Sequence, residues 1–373
     1  MTARLTQALI VAVIAGGVVV AGAAEKQPFA VADLYRLVGV DEPAIAPDGS
    51  AIVYKLTHSD LPAMKRTANL WRIAPDGSGA RALTTADASD ASPAFSADGR
   101  TLAFISTRSG EPQVWFMPTD GGEARKVTSW PGGVGSFQLS PDGTKVAFTA
   151  DVWTTCGGDA ECNRKTDEAR DGSKLKAHLA DRLLFRHWNE WRDGRRTHIM
   201  VQDLESNVVR DLTPGDFDSP VFSVGGGTDY AFSPDGKELV FASNRDRDEA
   251  SSTNADLWAI AVDAPAEALK TPRRLTDNPA WDGGPAFSPD GRLATSSWDG
   301  YLRLYSRDFR LLAKKQDQGG SRPFQVSFSP AGRVVAGVGL HLGDTRDDAV
   351  DAQQLVQQLR RHHRGVTLSE RRG

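Results

Sequence analysis

Ala231-Phe232-Ser233-Pro234-Asp235-Gly236-Lys237-Glu238-Leu239-Val240-Phe241-Ala242-Ser243 reads as a β-hairpin. Pro presets φ, Asp hydrogen-bonds its own backbone and Gly accepts a positive φ, so Pro-Asp-Gly is a turn. The flanks alternate as strands do, with Leu239 and Phe241 on one face and Val240 and Ala242 on the other. The unit recurs around Pro47-Asp48-Gly49, Ala97-Asp98-Gly99, Pro141-Asp142-Gly143, Pro289-Asp290-Gly291 and Pro330-Ala331-Gly332. From Pro47 through Ala97, Pro141, Pro234, Pro289 and Pro330 the steps are 50, 44, 93, 55 and 41 residues. A repeat of short strands with a period of about 40–50 residues is the signature of a β-propeller. The double-length step hides either an insertion or a blade without the motif.

Each hairpin is followed by a third strand with a central aromatic and a short fourth strand. Asn69-Leu70-Trp71-Arg72-Ile73 precedes Arg81-Ala82-Leu83-Thr84, Gln113-Val114-Trp115-Phe116-Met117 precedes Lys126-Val127-Thr128, and Asp256-Leu257-Trp258-Ala259-Ile260 precedes Arg274-Leu275-Thr276. The expected fold is therefore all-β: a propeller of six to eight four-stranded blades whose ring need not be complete. A β-sandwich with fortuitous turns would not repeat the motif six times. Around Trp298-Asp299-Gly300 the texture comes nearer to a WD repeat.

The ends read differently. Arg4, the uncharged apolar run Leu9–Val20 and the small residues Ala21-Gly22-Ala23 form a secretory signal peptide over residues 1–24. The alternative, an uncleaved anchor, needs a longer apolar run. The propeller is expected over 25–340, with an insertion at about 151–193, and the exported protein is expected in a periplasm or outside the cell. Asp348–His363 reads as an amphipathic helix inside a polar 341–373 tail. Near the start, Asp33 is positioned to cap a short helix bearing Leu34, Leu37 and Val38.

With 44 Lys and Arg against 48 Asp and Glu, the net charge of −4 gives no electrostatic footprint for nucleic acid. Cys156 and Cys162 are the only cysteines; so close together in an exported chain, they read as one local disulfide. Metal binding would need a second ligand pair at suitable spacing. No cofactor motif is present.

The insertion carries the unusual chemistry. Leu175, Leu179 and Leu183 fall at i, i+4 and i+8, which predicts a short amphipathic helix. Then comes Phe185-Arg186-His187-Trp188-Asn189-Glu190-Trp191-Arg192-Asp193-Gly194, where Asp193-Gly194 predicts a hairpin turn. In a strand Trp188 and Glu190 share one face, and Asn189 and Trp191 the other. Arg186, Trp188, Asn189, Glu190 and Trp191 are the candidate substrate-binding residues, with Glu190 suited to a peptide's α-ammonium and Trp188 beside it. The plainer reading makes the tryptophans core and the charges surface pairs.

The leader Phe29-Ala30-Val31-Ala32-Asp33-Leu34, running into the first hairpin, together with the 181–203 segment, resembles bacterial prolyl oligopeptidase-family serine peptidases. The acylaminoacyl-peptidase and dipeptidyl-peptidase branch is the nearer one. The hairpin motif alone is shared with TolB-like propellers. The resemblance covers about residues 28–290 and implies a propeller that gates or binds peptide, with propeller carboxylates holding a free amino terminus. Hydrolases of that family place a Ser in a Gly-x-Ser-x-Gly elbow of an α/β domain. No such elbow occurs here; Gly319-Gly320-Ser321-Arg322-Pro323 is the nearest approach. The expectation is a non-catalytic propeller region of an exported peptidase, truncated or rearranged so that no hydrolase domain follows. The alternative is a stand-alone TolB-like binding propeller; a different enzyme at the central channel has no residue set to support it.

Overall fold

The computed structural model describes residues 28–180, 183, 185–187, 190–221, 229–316, 322–328, 332 and 335–340. The signal segment and the 348–363 helix expected from the sequence lie outside these residues.

Five four-stranded antiparallel sheets follow one another along the chain. The first holds β1 (Gly39–Ile45), β2 (Ile52–Asp60), β3 (Lys65–Ile73) and β4 (Arg81–Ala82); the second holds β5 (Asp90–Phe95), β6 (Thr101–Ser106), β7 (Gln113–Pro118) and β8 (Arg125–Lys126). The third is assembled from β9 (Phe137–Leu139), β10 (Lys145–Trp153), β13 (Arg195–Asp203) and β14 (Val209–Asp211). Between β10 and β13 lie α1 (Ala160–Asp171) and the two-stranded β11 (Arg186–His187) and β12 (Glu190–Trp191). The fourth has β15 (Tyr230–Phe232), β16 (Glu238–Ser243), β17 (Asp256–Ala261) and β18 (Arg273–Arg274), with the short α2 (Ala266–Leu269) before β18. The fifth has β19 (Asp282–Phe287), β20 (Leu293–Ser297), β21 (Tyr301–Tyr305) and β22 (Leu311–Gln316). The antiparallel pair β23 (Arg322–Phe328) and β24 (Val335–Leu340) follows, with β23 packed against β19, β20 and β21. Among the described residues the double-length step therefore holds an insertion within the third sheet and no further four-stranded sheet.

The turn chemistry repeats from sheet to sheet. Ser233 Oγ donates to Asp235 Oδ1 (2.7 Å) and accepts the Glu238 N–H of the returning strand (3.0 Å). Ser96 does the same with Asp98 and Thr101, and Ser140 with Asp142 and Lys145. The serine hydroxyl and the backbone N–H of the turn hold the Asp98 and Asp235 carboxyls below the usual carboxylate range. The turn glycines adopt φ between +65° and +89°, which a side chain would strain. A Cβ on Gly99 would also meet Pro47 of the preceding sheet's turn at 3.5 Å, and one on Gly332 would meet Pro289 at 3.1 Å. Successive Pro-Asp-Gly turns thus lie side by side along one end of the stack.

Strand alternation becomes packing between sheets. Leu239 and Phe241 join Ala147, Ile199 and Val201 of the third sheet, whereas Val240 and Ala242 join Leu293 and Tyr305 of the fifth. Ala103, Ile105, Val114 and Phe116 meet Val146, Phe148 and Met200, and on the other face Leu102, Phe104 and Met117 meet Val53 and Leu70. Each second strand from β6 onward is accordingly buried on both faces, as blades stacked face to face require. Among the described residues the first sheet has one such neighbour: Val53 and Leu70 are sealed, while Val40 and Ile45 are 66% and 67% exposed.

Two local expectations are corrected. Before β1, a 3-10 helix covers Val31–Arg36 with Ala30 at its cap; Asp33 sits inside it, taking the Ala30 N–H at 2.8 Å and Arg36 at 3.0 Å. Leu34, Leu37 and Val38 are exposed rather than gathered on a packed face. The helix expected through Leu175, Leu179 and Leu183 does not form: α1 ends at Asp171, and all three leucines are exposed. With no surface to bury against, their periodicity has nothing to stabilise a helix.

Candidate functional site

The insertion is anchored on Trp153, the last residue of β10. Cys156 and Cys162 are joined, with Cα atoms 5.5 Å apart. Asp159 caps α1 by accepting the Cys162 N–H at 2.9 Å. The helix is then fastened to β10: Asn163 Oδ1 accepts the Trp153 N–H (2.8 Å), and Asp167 accepts its indole Nε1–H (2.8 Å). Arg170 and Arg195 lie over the Trp153 ring at 5.4 and 5.8 Å.

From Gly172 the chain crosses without regular structure to β11 and β12, and a cleft of about 550 Å³ opens between this crossing and the end of the third sheet. Trp153, Leu179, Leu183, Phe185 and Trp191 supply its apolar lining, and His178, Arg192, Asp193, Arg196 and Glu249 its polar one. Asp193-Gly194 is a positive-φ turn, but it joins β12 to β13, which pair in different sheets; the hairpin is formed by β11 and β12, Arg186 opposite Trp191 and His187 opposite Glu190.

The charged groups at the cleft pair with one another. Asp193, with its side chain 8% exposed, takes Arg170 at 2.6 Å and His178 Nδ1 at 2.7 Å. Burial opposes its ionisation, yet these two partners hold the carboxyl below its usual range. Arg192 pairs with Asp218 and reaches Asp151 at 3.6 Å. Arg196 spans Asp216, Asp218 and Glu249 at 2.9, 3.2 and 2.5 Å. Burial works against the Arg196 charge, and these acids more than offset it, so its pKa rises above the ordinary arginine value. The cleft therefore offers aromatic and aliphatic surface beside an internally compensated ionic rim.

Of the sequence candidates, Trp191 lines the cleft at 41% exposure, Arg186 is exposed in β11, and Glu190 lies in β12 with its backbone paired to His187. Trp188 and Asn189 lie outside the described residues. Sequence reasoning missed Trp153, His178, Phe185 and Asp193. A signal was available for Phe185 and Asp193, which belong to the stretch that was singled out; His178, isolated in a polar run, had none. Among the described residues no group of His, Cys, Asp and Glu is arranged to hold a metal. No helix of the described residues is long and apolar enough to cross a membrane.

Sequential four-stranded sheets packed face to face, with hairpin turns aligned at one end and an insertion at the other, define a β-propeller. Residues 28–158 match the TolB beta propeller domain family. Dipeptidyl-peptidase 5 of Porphyromonas gingivalis is 30% identical over 259 residues, and that of Porphyromonas endodontalis 29% identical over 278. These matches take in 68% and 70% of this chain but only 36% and 38% of those proteins. The chain thus carries a TolB-like β-propeller domain homologous to part of dipeptidyl-peptidase 5. The acylaminoacyl peptidase of Pyrococcus horikoshii shares the fold, with a TM-score of 0.57 at 14% identity, over 81% of this chain and 43% of that one.

Proposed function

We propose that this chain is the peptide-handling, non-catalytic propeller region of an exported dipeptidyl-peptidase-type serine peptidase, and that the cleft lined by Trp153, Leu179, Phe185 and Trp191 receives an apolar peptide side chain. The observation that carries the reading is that the similarity to dipeptidyl-peptidase 5 extends over two thirds of this chain, whose third sheet bears an aromatic cleft. A cleft of this size admits one or two side chains, and aromatic walls contribute much of the contact energy in such recognition. Because the rim charges are mutually paired, affinity should depend more on apolar contact than on salt. Signal-peptide export of the chain is part of the same reading.

The test is fluorescence titration of the purified chain with short peptides bearing Phe or Leu, against Gly-Ser peptides of the same length. Binding of the apolar peptides that weakens about 10-fold or more in Trp191→Ala supports the cleft. Equal binding of both peptide sets refutes it. The same preparation should not turn over dipeptidyl or acylaminoacyl reporters, since the sequence holds no Gly-x-Ser-x-Gly elbow. Turnover blocked by a fluorophosphonate would overturn the non-catalytic reading.

The second reading is a stand-alone TolB-like binding propeller, favoured by the family match over residues 28–158. It would give a folded protein that ignores short peptides of either kind.

A further inference from the structure

Two arginines occupy corresponding positions in the second and fourth sheets. Arg108 stands two residues beyond Ser106 at the end of β6, and Arg245 two residues beyond Ser243 at the end of β16. Beneath each lies a cross-strand aromatic pair, Phe104 with Trp115 and Phe241 with Trp258. The guanidinium of Arg108 lies 5.3 and 5.1 Å from its pair, and that of Arg245 lies 5.8 and 5.0 Å from its own, with Phe217 a third ring at 5.0 Å.

Their polar partners differ. Arg108 gives Nε–H to Ser106 Oγ (2.8 Å) and Nη2 to both oxygens of the buried Asp90 (3.0 and 2.9 Å). In the fourth sheet the Ser243 hydroxyl is turned away, donating to the Asp218 carbonyl and accepting from Ser219. Arg245 has no hydrogen-bond acceptor among the described residues, and its Nε is closed off from water. The residue as a whole is only partly buried.

The carboxylates of this end are committed elsewhere: Asp218, Asp216 and Glu249 to Arg196, Asp256 to Arg274, and Asp246 to Ser252 and Asn254. In the sequence, Phe-Ser-Val-Gly-Gly-Gly-Thr between Val221 and Asp229 contains no acid. Burial alone pulls the Arg245 pKa down to about 10, with no acid opposing it.

We infer that Arg245, caged by Phe217, Phe241 and Trp258, is a binding site for a carboxylate ligand, which takes at the Nη groups the place that Asp90 takes on Arg108. A guanidinium oriented by stacking presents two parallel donors to a carboxylate, and a weakly hydrated, partly desolvated one gains more from that contact than an exposed one does. The site does not depend on the peptide cleft, since it needs only the anion. The carboxylate could belong to a free organic acid or to an acidic side chain of a peptide.

The experiment is thermal unfolding of the full chain in rising sodium acetate, with sodium chloride adjusted to constant ionic strength. Binding to the folded state raises the melting temperature with ligand concentration. Acetate should raise it relative to chloride in the wild type, and Arg245→Met should remove at least four fifths of that rise. If Arg245→Met does not fold, Arg245→Lys keeps the charge, loses the fork and should also lose most of the response. The doubly capped tripeptide Ac-Gly-Glu-Gly-NH2 separates the sources. A response at 10-fold lower concentration than acetate assigns the site to peptides, and a weaker response assigns it to free acids. Equal melting in acetate and chloride, or a full acetate response in the variant, overturns the proposal.

Discussion

His178 lies flat on Trp191, ring centroids 4.1 Å apart and planes within 6° of parallel, while its Nδ1 contacts Asp193 at 2.7 Å. One irregular segment is thereby fixed to the mouth of the cleft by a ring face and a carboxylate. The crossing from 172 to 180 has little else to hold it, since Leu175 and Leu179 are exposed. An aromatic pair is worth about 0.5–1.5 kcal/mol beyond its burial. Trp191→Ala should therefore raise the rate of proteolytic cleavage within 172–180 by about 2- to 10-fold, read by mass spectrometry of early fragments. Early cleavage inside 231–243 instead would mean that the sheet, not the crossing, is the weak point.

Ser140 supplies the hydroxyl that closes the third sheet's turn, accepting the Lys145 N–H and donating to Asp142. It is buried, so its loss strands a backbone donor. Ser140→Ala should cost about 1–2 kcal/mol in denaturant unfolding. The hydroxyl, followed by the turn's other donors, holds the Asp142 carboxyl below its usual range. Its contribution is therefore present above the unfolded pKa and fades as pH falls through the lower folded value. The variant's deficit should shrink toward acid; a deficit that is constant from pH 7 to pH 2 counts against this account.

Asp256 behaves in the opposite sense. Burial pushes its carboxyl up to about 6, Arg274 at 2.6 Å offsets part of that, and Asp282 adds to it. The folded state then binds the proton more tightly than the unfolded chain, so stability declines as pH rises from about 4 to 6 and is level above. Asp256→Asn should remove that decline, a difference of at most about 3 kcal/mol. Melting curves of the two proteins taken from pH 4 to pH 7 should converge at the acid end and separate at neutrality. Parallel curves would exclude the assignment.

Export and the cysteine loop can be tested together. Protein recovered from the periplasm of a bacterial host should lack residues 1–23 or 1–24 and carry Cys156 and Cys162 unavailable to alkylation until reduced. Loop closure over so few residues is worth about 2 kcal/mol. Cys156→Ser should therefore loosen α1, seen as faster amide exchange across 160–171 with the sheets unchanged. Intact Met1 and two reactive thiols in unreduced protein would refute both parts.

The propeller was legible because its decisive chemistry is local. A Ser-Pro-Asp-Gly turn closes on its own atoms, as Ser233, Asp235 and Glu238 show, and needs no distant partner to be recognised. The two faces of Leu239-Val240-Phe241-Ala242 were legible for the same reason; that both faces are buried follows only from neighbouring sheets. The insertion misled because its helix has no apolar stripe. Ala160–Asp171 stands on a cap at Asp159, on Asn163 and Asp167 reaching Trp153, and on ion pairs of Arg164 with Glu161 and Glu168. The leucines that do show a helical period lie just beyond it, where nothing packs. The partnership of His178 with Asp193, 15 residues apart, is a product of the folded crossing.

The uneven ends of the stack have a mechanical consequence. Among the described residues, sheets two to four are each gripped by a neighbour on both faces, whereas the first is gripped on one, with Val40 and Ile45 exposed. Under tension, that sheet is held to the next by one seam, Val53 and Leu70 against Leu102, Phe104 and Met117. Rupture should begin there, releasing residues 39–82 as a single low-force step before the doubly gripped sheets yield at higher force. The molecule has a built-in direction of unravelling.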